Sequence, residues 1–180
     1  MPDSHHQGEE RAAVVYAVGE SSLGPVLVAQ TRTGVCAILL GDDSDELTRE
    51  LRRRFPGADL TGGDSAADAV LTTVIRFLEE PCGGLDLPLD VRGTAFQRRV
   101  WAALREIPAG QTASYLEIAQ RIGSPGSSRA VAGACAANSI AVAIPCHRVV
   151  RADGNLSGYR WGVGRKQALL EREAACAARR

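Results

Sequence analysis

The chain has 180 residues, 45% of them hydrophobic, and no formal net charge. That length and apolar content allow a full core, in one domain or two small ones, and exclude a disordered chain. No apolar run approaches membrane-spanning length, and residues 1–10 are polar and acidic, unlike a signal peptide. The expectations are a short flexible tail over 1–11, a cytoplasmic protein, and five cysteines left as free thiols in a reducing compartment.

The neutral total hides a segregation of sign. Residues 1–90 hold 7 Arg against 16 Asp and Glu, a balance of −9; residues 91–180 hold 13 Arg and one Lys against 5 acids, a balance of +9. An acidic N-terminal half and an Arg-rich C-terminal half follow, the latter suited to phosphate and base-edge contacts.

From 12 to 40 the pattern is three strands, 13–17, 25–31 and 35–40, rich in Val, Leu and Ile and separated by Gly-containing turns. A helix over 43–55 follows: acidic residues lead it, Arg52, Arg53 and Arg54 close it, and Pro56-Gly57 stop it. A second helix spans 64–80 and ends before Pro81. Residues 81–84 are loop and 85–89 a short strand or an extended linker, with the domain boundary there. This division gives an α/β N-terminal domain over 12–84 and a mainly α domain over 85–180.

In the second half, Thr94 is the expected N-cap for a helix over 95–106, with Phe96, Val100, Trp101 and Leu104 on one face. Pro108-Ala109-Gly110 ends it. Ser114 with Glu117 forms a capping box for a short helix over 115–122. A turn over 123–126 leads to a helix opened by Ser127 or Ser128 and running to Asn138. Helix, short Gly-containing turn, helix is the layout of a helix-turn-helix DNA reader. The second helix carries Ser, Ala and Gly with Arg129 as its one large polar group, smooth enough to enter a narrow groove.

The run Ile144-Pro145-Cys146-His147-Arg148-Val149-Val150 then sets a cysteine beside a histidine in an apolar stretch suited to a buried strand. A thiolate is a strong soft nucleophile, and an adjacent basic or cationic group is the usual way to obtain one near neutral pH. A Gly-rich loop and an Arg-rich helix follow. Cys36 and Cys82 have no ligand-like partners and His5-His6 sit in the tail, so no metal is expected. Cys36, Cys82, Cys135 and Cys176 read as small buried or incidental thiols.

Together these motifs carry a family resemblance. Arg92-Gly93-Thr94-Ala95-Phe96-Gln97, Val100-Trp101, Ile107-Pro108, Gly110 and Ser114-Tyr115 open the pattern. Arg129-Ala130-Val131, Asn138, Ile144–Arg148 and Gly158-Tyr159-Arg160-Trp161-Gly162 complete it. The chain resembles the O6-alkylguanine-DNA alkyltransferases, most closely the methyltransferase domain of the Ada type, over residues 12–175 and most densely from 90 onward. The resemblance implies a small α/β domain of ribonuclease-H-like topology, followed by a winged-helix-like DNA-binding domain carrying the cysteine. It also implies DNA repair by direct reversal: a methyl group passes irreversibly from O6-methylguanine in double-stranded DNA to Cys146, in one turnover and without a cofactor. O4-methylthymine is left open as a second substrate, and a monomer is expected.

By the same resemblance, His147 acts on Cys146 through a water, and Glu173 orients and charges the imidazole. Neighbours in an extended segment point to opposite faces, which disfavours direct contact between Cys146 and His147. Tyr115 is the donor to the purine at its N3 edge, and Asn138 holds the active-site turn to its helix. Arg129 fills the stack vacated by a flipped base, and Ser127, Ser128, Ala130 and Ala132 face the minor groove. Val149, Tyr159 and Arg160 line the guanine pocket. Arg160 and Trp161 are bulky for this loop, which implies a pocket that prefers methyl. The turn before Arg129 is Ser124-Pro125-Gly126-Ser127, where relatives commonly carry Lys after Pro, so the resemblance implies one phosphate contact fewer. The Ada zinc domain is outside the matched region, and its regulatory role is not carried over.

Three other classes compete with the repair reading. A non-catalytic damage-binding protein would lack the cysteine. A winged-helix regulator would need an effector site or a dimer interface. A cysteine hydrolase would need an oxyanion motif beside Cys146.

Overall fold

The computed structural model describes residues 11–156 and 158–180; apart from Arg11, the expected N-terminal tail lies outside the described residues. Strands β1 (Ala13–Ser21), β2 (Gly24–Gln30) and β3 (Val35–Leu40) form an antiparallel meander. Helix α1 (Ser44–Arg54) begins at Asp43, whose carboxylate accepts from the Asp45 amide, and ends in three arginines that suit the negative end of its dipole. The chain then returns as β4 (Asp59–Gly62), parallel to β1, before helix α2 (Ser65–Glu79). The sheet order is β3-β2-β1-β4.

Alternation along β2 explains the two layers over this sheet. Leu27 and Ala29 pack on one face with Leu47 and Leu51 of α1, while Val26 and Val28 join the larger core on the other with Leu71, Val74 and Leu78 of α2. Because both faces are covered, the strands read as continuous apolar runs. Each fully buried Leu or Val there contributes roughly 1.5–3 kcal/mol.

A 3₁₀ turn at Pro81–Gly83 and an extended segment lead into the second half, where Leu89 bridges to Val35. Helix α3 (Ala95–Arg105) opens with a complete capping box between Thr94 and Gln97. Gly93 precedes it because a β-carbon there would meet the Trp101 ring at 2.6 Å. Strand β5 (Ala113–Ser114) leads directly into α4 (Tyr115–Arg121), capped by Ser114 and Glu117. Helix α5 (Ser128–Ala137) packs on α3 and α4. Strand β6 (Val149–Val150) pairs in parallel with β5, and helix α6 (Val163–Ala178) closes the chain.

Four sequence expectations need correction. Strand β1 runs on to Ser21 rather than ending at 17, because its far half pairs with Gly24–Leu27 of β2 across a tight turn. Strand β4 was not foreseen. Residues 144–150 are not one strand: Cys146–Arg148 is a 3₁₀ turn, and only Val149 and Val150 are extended and paired. The apolar run reflects burial from all sides, not a β period. Finally, Cys82 and Cys176 are not free thiols but form a disulfide, their Cα atoms 5.0 Å apart, that fastens α6 to the Pro81–Gly83 turn. Cys36, Cys135 and Cys146 are free. Among the described residues, no helix is long and apolar enough to cross a membrane.

The feature that positions the site is a backbone splice between the sheet and the loop after α5. Ile38 of β3 donates to the Ser139 carbonyl at 2.9 Å and accepts from the Ala141 amide at 3.0 Å. Val142, next in line, sits at φ 60°, a left-handed conformation that a β-branched residue resists. Such strain persists only where surrounding packing over-determines it, and here the loop leads into Cys146 four residues later.

Candidate active site

Cys146 lies at the floor of a pocket of about 610 Å³. Tyr115 from the start of α4 forms part of the wall, as do Ser128, Arg129, Ala132, Cys135 and Ala136 from α5. Arg151, Gly158, Tyr159 and Arg160 from the loop after β6 complete the lining. Two short elements bring these together. The β5–β6 pairing sets the N-terminus of α4 beside the segment that follows Cys146, and the splice to β3 fixes the loop before it.

Asn138 joins the end of α5 to the cysteine. Its buried Nδ2 donates to the carbonyls of Ile144 at 3.0 Å and Ile140 at 3.4 Å and to the Cys146 sulfur at 3.3 Å. Its Oδ1 accepts from the Ile140 amide at 2.9 Å. One side chain thus ties both ends of the 140–146 loop to the helix.

Beneath Cys146 lies a buried polar cluster. His147 Nε2 donates to Glu173 Oε1 at 2.8 Å. Arg148 grips the same carboxylate through Nη2 at 2.7 Å and through Nε at 3.2 and 3.0 Å to the two oxygens, while its Nη1 donates to the Ile107 carbonyl at 2.7 Å. The other imidazole nitrogen, Nδ1, is buried with no hydrogen-bond partner among the described residues. Lys166, fully buried, donates to the carbonyls of Val149 at 2.5 Å and Gly158 at 3.3 Å, pinning both ends of the pocket loop.

The electrostatics follow from this burial. Burial pushes the Cys146 thiol up to about 11, against the pull of the Asn138 hydrogen bond and the Lys166 charge, so the resting group is a thiol. Burial likewise holds the His147 imidazole below its ordinary value despite the Glu173 carboxylate. Burial alone would raise Glu173, but hydrogen bonds from His147 and Arg148 outweigh it and bring its pKa to about 2. The site therefore rests as thiol, neutral imidazole with Nδ1 free to accept, and a carboxylate already shared with a guanidinium.

Placement of the sequence-predicted residues divides into three groups. Cys146, Tyr115, Ser128, Arg129, Ala132, Tyr159 and Arg160 share the pocket. Asn138, His147, Glu173 and Val149 lie buried behind it, Val149 facing the core rather than lining the pocket. Ser127, the N-cap of α5, and Ala130 on its first turn lie outside the lining. Trp161 does not narrow the pocket. It is buried behind Tyr159, the two rings edge-on with centroids 5.4 Å apart. Arg160 does reach the lining, held by the Ala136 carbonyl at 2.6 Å and Glu50 of α1 at 2.9 Å. Arg148 and Lys166 were missed as site residues, although a cation inside an apolar run was the available signal for the first. Among the described residues, no cluster of three or more His, Cys, Asp or Glu side chains could hold a metal ion.

A buried cysteine at the foot of a pocket, with a carboxylate-bound histidine beside it, defines a thiol nucleophile site on a small mixed-sheet α/β fold. Residues 95–175 match the family described as 6-O-methylguanine DNA methyltransferase, DNA binding domain. A methylated-DNA–protein-cysteine methyltransferase of Mycobacterium bovis is 56% identical over 158 residues, covering 88% of this chain and 91% of the relative. The bifunctional transcriptional activator/DNA repair enzyme Ada of Escherichia coli is 55% identical over 167 residues, 93% of this chain but 47% of the relative, so the chain spans about half the length of Ada. The structure of Mycobacterium tuberculosis OGT in complex with DNA superposes with a TM-score of 0.75 at 36% identity, covering 90% of this chain and 94% of that one. The chain belongs to the methylated-DNA–protein-cysteine methyltransferase family.

Proposed function

We propose that the protein repairs double-stranded DNA by moving the methyl group of O6-methylguanine onto Cys146, once per molecule. The observation that carries this is the pocket itself: the Cys146 thiol at its floor sits under a wall made by the smooth face of α5. The Sγ–C bond forms as the C–O6 bond breaks, and the electron pair leaves on the purine. The thiol proton goes toward His147, and the guanine anion is protonated as it leaves, which makes it a viable leaving group. Tyr115, on the pocket wall, is the donor to the purine edge. The product is a thioether, so nothing returns the cysteine to its starting state.

The target atom lies inside the stack, so the base must turn out, at a cost of a few kcal/mol. Arg129, exposed on α5 at the pocket mouth, is the group that fills the gap. Ser127, Ser128, Ala130 and Ala132 give that helix the low profile a minor groove requires. This reading keeps the division into a ribonuclease-H-like domain over 12–84 and a winged-helix-like domain over 85–180, and a cytoplasmic monomer. The test is conversion of O6-methylguanine to guanine in a duplex carrying a single modified base. Conversion should stop at one base per protein; continued turnover, or none, would overturn the proposal.

A further inference from the structure

Glu173 serves two donors, one imidazole and one guanidinium. Its Oε1 accepts from His147 Nε2 and from Arg148 Nη2, at 2.8 and 2.7 Å, and Arg148 Nε reaches across to Oε2 at 3.0 Å. Both partners belong to the same 3₁₀ turn, and the carboxylate is wholly buried. A carboxylate that faced histidine alone would draw a proton onto the ring, because the imidazolium would then be its only counter-ion. Here the counter-ion is already present, and its guanidinium is locked by the Ile107 carbonyl as well. A second positive charge on the imidazole would meet Arg148 in its own turn and Lys166 from α6, with a single anion among them.

We propose that Arg148 is a positioning residue that keeps His147 a neutral base, by neutralising Glu173 so that the carboxylate orients the ring without charging it. The carboxylate fixes the tautomer: Nε2 carries the hydrogen and Nδ1, buried and without a partner among the described residues, presents its lone pair. That lone pair is what the Cys146 proton needs. The inference deepens the methyl-transfer reading and rests on Cys146 being the acceptor. The other charged groups acting on the ring are Glu173 and Lys166, both from α6, while the Ile107 carbonyl after α3 holds Arg148 rather than the ring.

The experiment is a ¹⁵N-imidazole NMR titration of His147 in the free protein, which needs no DNA and so stands apart from the transfer reaction. At neutral pH the wild-type ring should show a protonated Nε2 and a bare Nδ1; an imidazolium signal there would overturn the proposal whatever any variant does. In Arg148→Gln the ring should titrate at higher pH than in wild type, and the acid limb of the transfer-rate profile should move up with it. Arg148→Lys, which restores a cation, should bring both back toward wild type. A role confined to holding the fold would lower thermal stability in both variants and leave the His147 titration where it was. That result, in a folded Arg148→Gln protein, would overturn the proposal.

Discussion

The side-chain amide of Asn138 donates to the Cys146 sulfur at 3.3 Å, while its oxygen takes the backbone amide of Ile140. A hydrogen bond to sulfur favours the thiolate over the thiol, so the residue that caps α5 also helps to prepare the nucleophile. Asn138→Ala should leave a buried N–H and a buried carbonyl unpaired, costing about 2–4 kcal/mol. Urea unfolding would measure the loss. A variant within about 0.5 kcal/mol of wild type would mean that the loop holds its shape without that side chain.

Acid should weaken the fold in two stages. Burial keeps His147 below its ordinary 6.5, so its contribution is complete above that pH and is lost as the pH falls toward the lower folded value. Glu173 sits at about 2 against an ordinary 4.5, so its contribution is complete above 4.5 and disappears between there and about 2. Glu173→Gln removes the second stage. It also leaves the buried Arg148 without an anion, costing about 3–5 kcal/mol at neutral pH. Urea midpoints followed against pH check both statements; equal stability of the variant and wild type at neutral pH would contradict them.

Reduction should loosen the C-terminal helix. The Cys82–Cys176 bond closes a loop of 94 residues by sequence separation, and it lies one turn beyond Glu173 on α6. Chain-entropy reasoning puts its contribution at up to about 4–5 kcal/mol. Dithiothreitol, or Cys82→Ala, should therefore lower the melting temperature by several degrees. An unchanged melt with confirmed reduction would show that the pairing adds nothing to stability.

Arg160 should limit the size of the alkyl group. It lines the pocket and is clamped from outside by the Ala136 carbonyl and by Glu50, which also binds Arg54. Methyl adducts should react faster than benzyl adducts, and Arg160→Ala should raise the benzyl-to-methyl rate ratio by about tenfold. Single-turnover rates on both substrates decide it; an unchanged ratio would place the size limit elsewhere.

Much of this was legible in the residues. Thr94 and Ser114 announce their helices because an N-cap is a local chemical signal, and Glu117 sits at the spacing a capping box requires; Asp43, read as the first helical residue, is a cap, and Gln97, which completes the box at Thr94, was passed over. Strand β4 was not legible. Asp59-Leu60-Thr61-Gly62 is mostly exposed and lacks alternation, and it becomes a strand only because β1 offers a free edge more than forty residues earlier. The Cys146 turn was misread as a strand because apolar content reports burial, while shape here comes from Asn138 and the splice to Ile38. The cysteine pairing depends on where α6 packs against the Pro81–Gly83 turn, which no spacing encodes. Cys146 and His147 stood out because their chemistry is rare; Arg148, beside them, has its role only once Glu173 is brought in from α6.

Intact-protein mass spectrometry with peptide mapping, after mixing with a duplex carrying one O6-methylguanine, decides whether Cys146 is the methyl acceptor. A gain of one CH₂ per molecule is expected, located on Cys146 and absent from Cys146→Ala. Unchanged mass, or a methyl group carried on another residue while Cys146 stays free, would contradict it.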